Sequence, residues 1–431
     1  MNDLERLDLV IIGGGIGGVI CLKYAKDAGL HAVLIERSGA VGGIWRDLPA
    51  WQDIQFPKED WTLGDLPIAG EDQASICANI QAWVDRFQLS SLIHLNANVT
   101  SARYAADGWQ VSTAARSYHC RHLVAATGGH NRAYIPQVER TRPGVREFHS
   151  SKFKDPGELT GRDIVVVGGG ASAYDLLDLC FQHNARRVVW VYRSTKWMRP
   201  TRKQKHYATD VRMLGRQQML GISVAKTNQL VNQDLRVRYR KAGLEEIIPD
   251  YELDLRHHQL IPGRRDMINN FNRIERHRGV ISRIDNGTVH LSDGQRVDVQ
   301  LILWGTGYEL DLTYFDIPTL SRLTRLEDLG RRCGALFRSL DAPNLFFLAP
   351  NVLEVNTCTP WAYAHASKSI VSDIRGNEVF DVETVADYVN YFDLAKFLAR
   401  RDRANYTPGL WYLKYLNMAL LHPKKASMPI P

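Results

Sequence analysis

The sequence predicts an α/β protein built from two Rossmann-like dinucleotide-binding domains, the second inserted into the first. Two glycine-rich loops carry this prediction, each entered from a short apolar run. Leu9-Val10-Ile11-Ile12 precedes Gly13-Gly14-Gly15-Ile16-Gly17-Gly18, and Ile164-Val165-Val166-Val167 precedes Gly168-Gly169-Gly170-Ala171-Ser172-Ala173. Unbroken apolar runs of this length suit parallel strands buried on both faces. A repeated closing device is the third observation. Residues 122–126 run into Thr127-Gly128, and residues 299–304 run into Gly305-Thr306-Gly307-Tyr308.

In the first loop each glycine has its own task. Gly13 turns the chain out of the strand, Gly15 lets the backbone approach a pyrophosphate, and Gly18 lets helix and strand pack closely. A pyrophosphate there faces the free N–H groups and the positive dipole end of the next helix. That helix is expected over residues 19–28, followed by a strand over 31–35 that ends in Glu36. An acid about 20 residues beyond the loop accepts from ribose hydroxyls.

The second loop repeats the design with Gly168, Gly170, Ser172 and Ala173. Its second strand, 188–192, ends in Arg193 instead of an acid, with Ser194, Thr195 and Lys196 behind it. A guanidinium in that place matches an adenosine 2′-phosphate through its planar fork of donors. Two such loops imply two cofactors brought together, a flavin and a phosphorylated nicotinamide: FAD and NADPH.

Between the loops, residues 75–87 have helical spacing, and 99–111 read as a small meander turning at Ala106-Asp107-Gly108. Lys154-Asp155-Pro156-Gly157 signals entry into the inserted domain. Towards its exit, 281–284 and 288–291 flank Asp285-Asn286-Gly287, a hairpin signal. The expected division is 1–155 for the first part of the FAD-binding domain and 156–300 for the NADPH-binding domain. Residues 301–431 would complete the FAD-binding domain and carry a C-terminal helical segment. Helical patterning recurs over 382–398, and 410–421 read as an amphipathic helix that packs on the body or on a second subunit, leaving a homo-oligomer open.

The 431 residues suffice for two or three domains. No apolar run approaches the roughly 18 residues that cross a bilayer, and the N-terminus lacks the basic and apolar regions of a secretory signal. The six cysteines form no CxxC pair, which excludes a zinc ribbon and a redox dithiol and suits a reducing cytosol. No metal-ligand spacing stands out. Net charge is +7, concentrated between Arg193 and Arg278, where 19 Lys and Arg face 9 Asp and Glu. Such a stretch steers an anionic cofactor. Without a nucleic-acid motif or interleaved stacking aromatics it gives no reason to expect nucleic acid as a partner.

With these motifs in order, the chain resembles the flavin-containing monooxygenases and their Baeyer–Villiger relatives, the class B flavoprotein monooxygenases. The resemblance runs from Leu9 to about Ala349. Besides the two loops it includes Gly42-Gly43-Ile44-Trp45, Pro57-Lys58-Glu59 with Asp65-Leu66-Pro67, and Ala126-Thr127-Gly128. His149-Ser150 with Phe153, Asp175 after the second loop, Gly305-Thr306-Gly307-Tyr308 and Pro343-Asn344-Leu345-Phe346-Phe347 complete it.

The resemblance implies that NADPH reduces FAD and that O2 then adds to the flavin, giving a C4a-(hydro)peroxyflavin. That species would oxygenate a small organic substrate, while the protein supplies position and excludes water. It further implies that Gly43, Trp45, Thr127, Ser194, Thr306 and Gly307 lie at the cofactors. The chain departs from the family pattern at two places. Gln55 stands where heteroatom-oxygenating members carry asparagine beside the flavin, which makes Gln55 the candidate catalytic residue. The signature F-x-G-x-x-x-H is incomplete, since Pro143 and Val145 occupy its Phe and Gly positions before His149. The Baeyer–Villiger ending is absent too. Oxygenation at nitrogen or sulfur is therefore the expected reaction, with a ketone substrate or an NADPH-dependent oxidase or reductase as alternatives.

Overall fold

A computed structural model describes residues 6–54, 61, 63, 64, 66–105, 107–142, 144–200, 224–254, 258, 260–334, 338–348 and 360–376. The strands in chain order begin with β1 (Leu7–Ile12), β2 (Ala32–Ile35), β3 (Ile93–His94), β4 (Val99–Ala105), β5 (Gly108–Thr113) and β6 (Ser117–Ala125). There follow β7 (Arg132–Ala133), β8 (Glu139–Arg142), β9 (Arg146–His149), β10 (Asp163–Val167), β11 (Arg187–Tyr192) and β12 (Ile274–Arg278). The last six are β13 (Ile281–Asp285), β14 (Thr288–Leu291), β15 (Arg296–Asp298), β16 (Leu301–Trp304), β17 (Tyr308–Glu309) and β18 (Leu345–Phe347). Three helices frame the argument: α1 (Ile16–Asp27), α2 (Gln73–Arg86) and α3 (Ala171–Gln182).

The chain divides into two compact units. Unit 1 comprises Met1–Arg46, Phe56–Arg132 and Glu309–Pro431; unit 2 comprises Asp47–Gln55 and Ala133–Tyr308. Unit 2 is thus inserted into unit 1, with edges at 133 and 308 that lie outside the span 156–300 expected from sequence. Strand pairing accounts for the difference. β9 hydrogen-bonds in parallel to β16, and β8 to β13, so residues 139–149 belong to the sheets of unit 2. The short segment 47–54 is tied in as well. Trp51 Nε1 donates to the Phe153 carbonyl at 2.7 Å, and Lys154 Nζ donates to the Asp47 carbonyl at 2.6 Å.

Unit 1 is built on a seven-stranded sheet ordered β3-β2-β1-β6-β5-β4, with β18 also paired to β6. β1, β2, β6 and β18 run parallel, and β4 and β5 form the expected hairpin. The sequence Leu-Asp-Leu-Val-Ile-Ile of β1 is buried almost throughout, as a central parallel strand requires. One core unites Val10, Ile12, Val33, Ile35, Trp109, Leu123, Phe315 and Phe347. The helix Pro360–Ile374 belongs to the same unit and lies against α1 at Gly17, where an added Cβ would stand 2.8 Å from the Tyr363 ring.

Unit 2 has a five-stranded parallel sheet ordered β12-β11-β10-β16-β9 and a second sheet ordered β15-β14-β13-β8. β13, β14 and β15 pack on the parallel sheet through Ile281, Ile284, Val289, Leu291 and Val297 against Val165, Val189, Ile302 and Trp304. The hairpin signal read at Asp285-Asn286-Gly287 forms the β13–β14 turn, where Asn286 at φ 47° and Gly287 at φ 89° both take left-handed angles. The helical patterns over 382–398 and 410–421 lie outside the described residues.

Candidate functional site

Each unit presents one glycine loop between its central strand and a helix. In unit 1, Gly13 leaves β1 at φ 110°, a conformation that disfavours any side chain. An added Cβ there would lie 2.6 Å from the Ala126 carbonyl oxygen and 3.2 Å from the Thr127 nitrogen. The closing strand β6 therefore delivers Ala126-Thr127 directly behind the loop. Gly15 is the N-cap of α1, with φ −76° and ψ −175°; neither a side-chain cap nor an acid in the first turn quenches the free N–H groups. A Cβ on Gly15 would meet nothing closer than Gly43 Cα at 3.6 Å. A Cβ on Gly18 would overlap the Gly13 carbonyl.

Glu36, 5% exposed, closes the site from the end of β2. Its Oε2 accepts the Gly14 N–H at 2.6 Å, and its Oε1 accepts the Ser38 N–H at 2.7 Å. Both oxygens keep further lone pairs for donors on a ligand. The Gly42 N–H donates to the Gly14 carbonyl at 2.9 Å, which lays Gly42-Gly43 along the loop. Trp45 follows in the short turn Gly43–Arg46, half-buried, with Trp61 edge-on at 5.9 Å. Gly13, Gly15, Gly18, Glu36, Gly43 and Thr127 thus gather at one helix end without a side-chain cap, with Trp45 two residues beyond Gly43.

Unit 2 repeats the plan. Gly168 leaves β10 at φ 126°, and a Cβ there would overlap the Gly305 carbonyl, the first group beyond β16. Gly305 in turn accommodates Ala173: a Cβ at 305 would lie 2.6 Å from Ala173 Cα. The small residue needed for close helix–strand packing is therefore shared between positions 173 and 305. Gly170 caps α3 in extended geometry without a side-chain cap, and Ser172 sits half-buried in the first turn. Arg193 and Ser194 are exposed at the end of β11. Among the described residues, no ion-pair partner stands against Arg193.

One pair of charges backs the start of α3. Arg264 Nε meets Asp175 Oδ1 at 2.5 Å and its NH1 meets the Pro262 carbonyl at 2.7 Å. Burial pushes the Asp175 carboxyl above its ordinary range, and Arg264 opposes that shift.

Thr306 and Gly307 are engaged within unit 2. The Thr306 hydroxyl donates to the Tyr134 carbonyl, while the Gly307 carbonyl accepts from the Tyr134 N–H at 3.0 Å and from His149 Nε2 at 2.8 Å. Gln55 lies outside the described residues. Sequence reading missed Tyr174 and Trp190, which brace the second loop. Their only signal was an aromatic residue in the first turn of α3 and another within β11.

Residues 10–230 match the model of the pyridine nucleotide-disulphide oxidoreductase family. Flavin-containing monooxygenase 5 of Mus musculus is 27% identical over 224 residues, 45% of this chain and 42% of that protein. The FAD-binding monooxygenase VdtE of Byssochlamys spectabilis is 30% identical over 202 residues, 41% of this chain and 34% of that protein. The chain thus spans less than half the length of these two curated relatives. The solved structure of an oxidized steroid monooxygenase bound to NADP superposes with a TM-score of 0.68 at 17% identity, covering 94% of this chain and 99% of that one. That likeness establishes the fold.

Proposed function

The chain belongs to the pyridine nucleotide-disulphide oxidoreductase family, and from that premise we propose that it is an FAD- and NADPH-dependent monooxygenase acting on a small organic substrate at nitrogen or sulfur. One observation carries the reading. Two units share a glycine loop and an uncapped helix end, yet the second strand ends in Glu36 in one and in Arg193 in the other. An acid suits ribose hydroxyls and a guanidinium suits a 2′-phosphate.

The residues fit these groups. Gly13, Gly15, Gly18 and Glu36, with Gly43, Trp45 and Thr127, would hold FAD in unit 1. Gly168, Gly170, Ser172, Ala173, Arg193 and Ser194 would hold NADPH in unit 2, backed by Thr306 and Gly307. A Cβ at Gly15 or Gly170 would make only ordinary contact, with nearest atoms at 3.6 and 4.0 Å. When bound, the nicotinamide supplies hydride and the reduced flavin activates O2.

The protein's share is position. Free N–H groups at the two helix ends orient anionic pyrophosphates, and Glu36 accepts from the ribose. Gln55, which keeps the side-chain amide of the family's asparagine, is the proposed catalytic residue on the strength of the resemblance alone. The family resemblance and the missing Baeyer–Villiger signature support heteroatom chemistry over ketone insertion. The absence of a CxxC pair from the sequence makes a dithiol reductase a poor account. No described helix is long and apolar enough to cross a membrane, and the cytosol is the proposed compartment.

The test is turnover with NADPH and isotopically labelled O2 against a tertiary amine, a thioether and a cyclic ketone. One labelled oxygen in an amine oxide or sulfoxide is the expected result. A labelled lactone would replace the heteroatom assignment with ketone insertion. Peroxide as the sole oxygen product would make the chain an oxidase, and a purified protein without flavin would overturn the reading.

A further inference from the structure

The strand end that carries Arg193 is held in place by a side chain that belongs to neither fingerprint. Tyr174 stands in the first turn of α3 and is fully buried. Its hydroxyl donates to the Lys196 carbonyl at 2.8 Å, and the Lys196 N–H lies 3.3 Å from the same oxygen. That N–H also donates to the Gly169 carbonyl at 2.9 Å. The Tyr174 ring meets Trp190 edge-on at 5.9 Å, and Trp190 Nε1 donates to the Gly168 carbonyl at 2.6 Å.

The rest of the segment is pinned too. Gly169 has no room for a Cβ because the Ser194 carbonyl occupies its place. The Thr195 hydroxyl, buried, donates to the Ile247 carbonyl at 2.9 Å. The backbone of residues 194–196 is thereby locked to the glycine loop, while the side chains of Arg193, Ser194 and Lys196 remain exposed. The Lys196 Cγ lies 4.0 Å from where a Cβ on Gly170, the N-cap of α3, would stand.

We propose that Tyr174 is a positioning residue for 2′-phosphate selectivity: its hydroxyl sets the 194–196 backbone so that Arg193, Ser194 and Lys196 converge beside the helix end. The proposal rests on the reading that unit 2 takes NADPH. A phosphate bound by several donors at once needs them at fixed separations, and a loop released by one hydrogen bond loses that register. The adenine and the first ribose depend on the glycine loop itself, which Trp190 continues to hold.

The experiment is calorimetric titration of the full chain with adenosine 2′,5′-bisphosphate and with adenosine 5′-phosphate, which differ only in the 2′-phosphate. The wild type is expected to prefer the bisphosphate. Tyr174→Phe keeps the ring and removes one hydroxyl. It is expected to weaken the bisphosphate by about threefold to tenfold, the worth of one hydrogen bond, and the monophosphate by less than about twofold. Thr195→Val cuts the other side-chain anchor of the segment and is expected to show the same selective loss, which keeps the test open should Tyr174→Phe fold poorly. Equal weakening of both ligands, or no change in either, would reduce Tyr174 to core packing and overturn the proposal. A wild type with no preference between the ligands would overturn the reading of unit 2, and the proposal with it.

Discussion

His149 Nε2 donates to the Gly307 carbonyl at 2.8 Å, clasping the end of β9 to the turn that follows β16. The tautomer is dictated by the backbone. The Ser151 N–H, which can only donate, points at Nδ1 from 3.2 Å, so Nδ1 accepts and Nε2 carries the proton. The Tyr308 ring stands edge-on to the imidazole at 5.1 Å, and Gly307 takes a φ of 80°. Protonation would place a hydrogen on Nδ1 opposite the Ser151 N–H and break that contact, while Nε2 would go on donating to Gly307.

A pH dependence follows. Burial pushes His149 below its ordinary value of 6.5, Lys152 adds to the shift, and the Gly307 bond opposes it. Below 6.5 the unfolded chain binds a proton that the folded chain refuses, so stability rises with pH through that window. The contribution is whole above 6.5 and is lost as pH falls towards the depressed folded value. Thermal melts of wild type and His149→Gln should differ most near about pH 8 and converge near about pH 5. A gap that stays constant across that range would rule His149 out as a titrating element.

The glycines of the first loop should separate folding from binding. A Cβ on Gly15 makes only ordinary contact, at 3.6 Å, whereas one on Gly18 collides with the backbone of Gly13. Gly15→Ala should therefore fold normally and lose flavin during purification. Gly18→Ala should lower unfolding stability by about 3 kcal/mol as helix and strand are forced apart. Urea midpoints read beside flavin content distinguish the two; equal midpoints would contradict the packing assigned to Gly18.

Thiol reactivity offers a check independent of any cofactor. Burial pushes Cys21 and Cys120 up to about 12, and Cys180 and Cys333 higher still. Cys77 is half-buried, and its upward shift is opposed by Arg46. Thiolates, not thiols, react. Among the described cysteines, iodoacetamide should modify Cys77 first and leave the other four untouched until the chain unfolds, as peptide mass spectrometry would show. Early labelling of Cys120 would mean that the β1–β6 region opens far more readily than its burial implies.

Much of the architecture was legible because burial on both faces leaves a plain signature. The apolar runs before Gly13 and Gly168 are β1 and β10, and the strand ends at Glu36 and Arg193 fall where their spacing placed them. The edges of unit 2 were not legible. β8, Glu-Arg-Thr-Arg, is exposed at all four positions and carries no periodic signal. It becomes a strand through pairing with β13, a contact far off in sequence. The same holds for residues 47–54, which Trp51 and Lys154 draw into unit 2. Within the candidate site, Glu36 declared itself by type and spacing, whereas Tyr174 did not. Its role depends on the distant Lys196 backbone, and tyrosine in a helix ordinarily reads as core.

The pairing of β18 with β6 has a consequence for biosynthesis. Leu345–Phe347 leave the ribosome only after the whole of unit 2 has been translated, yet they align with Leu123, Val124 and Ala125. At cellular elongation rates that interval is roughly 10–40 s. Throughout it the 123–125 edge of β6 waits as an open, apolar ladder, the kind of edge that recruits foreign strands. The inserted unit can meanwhile complete its own sheets. The nascent chain therefore matures from the inside outward, and a ribosome stalled between Tyr308 and Leu345 would display a finished insert on an aggregation-prone host.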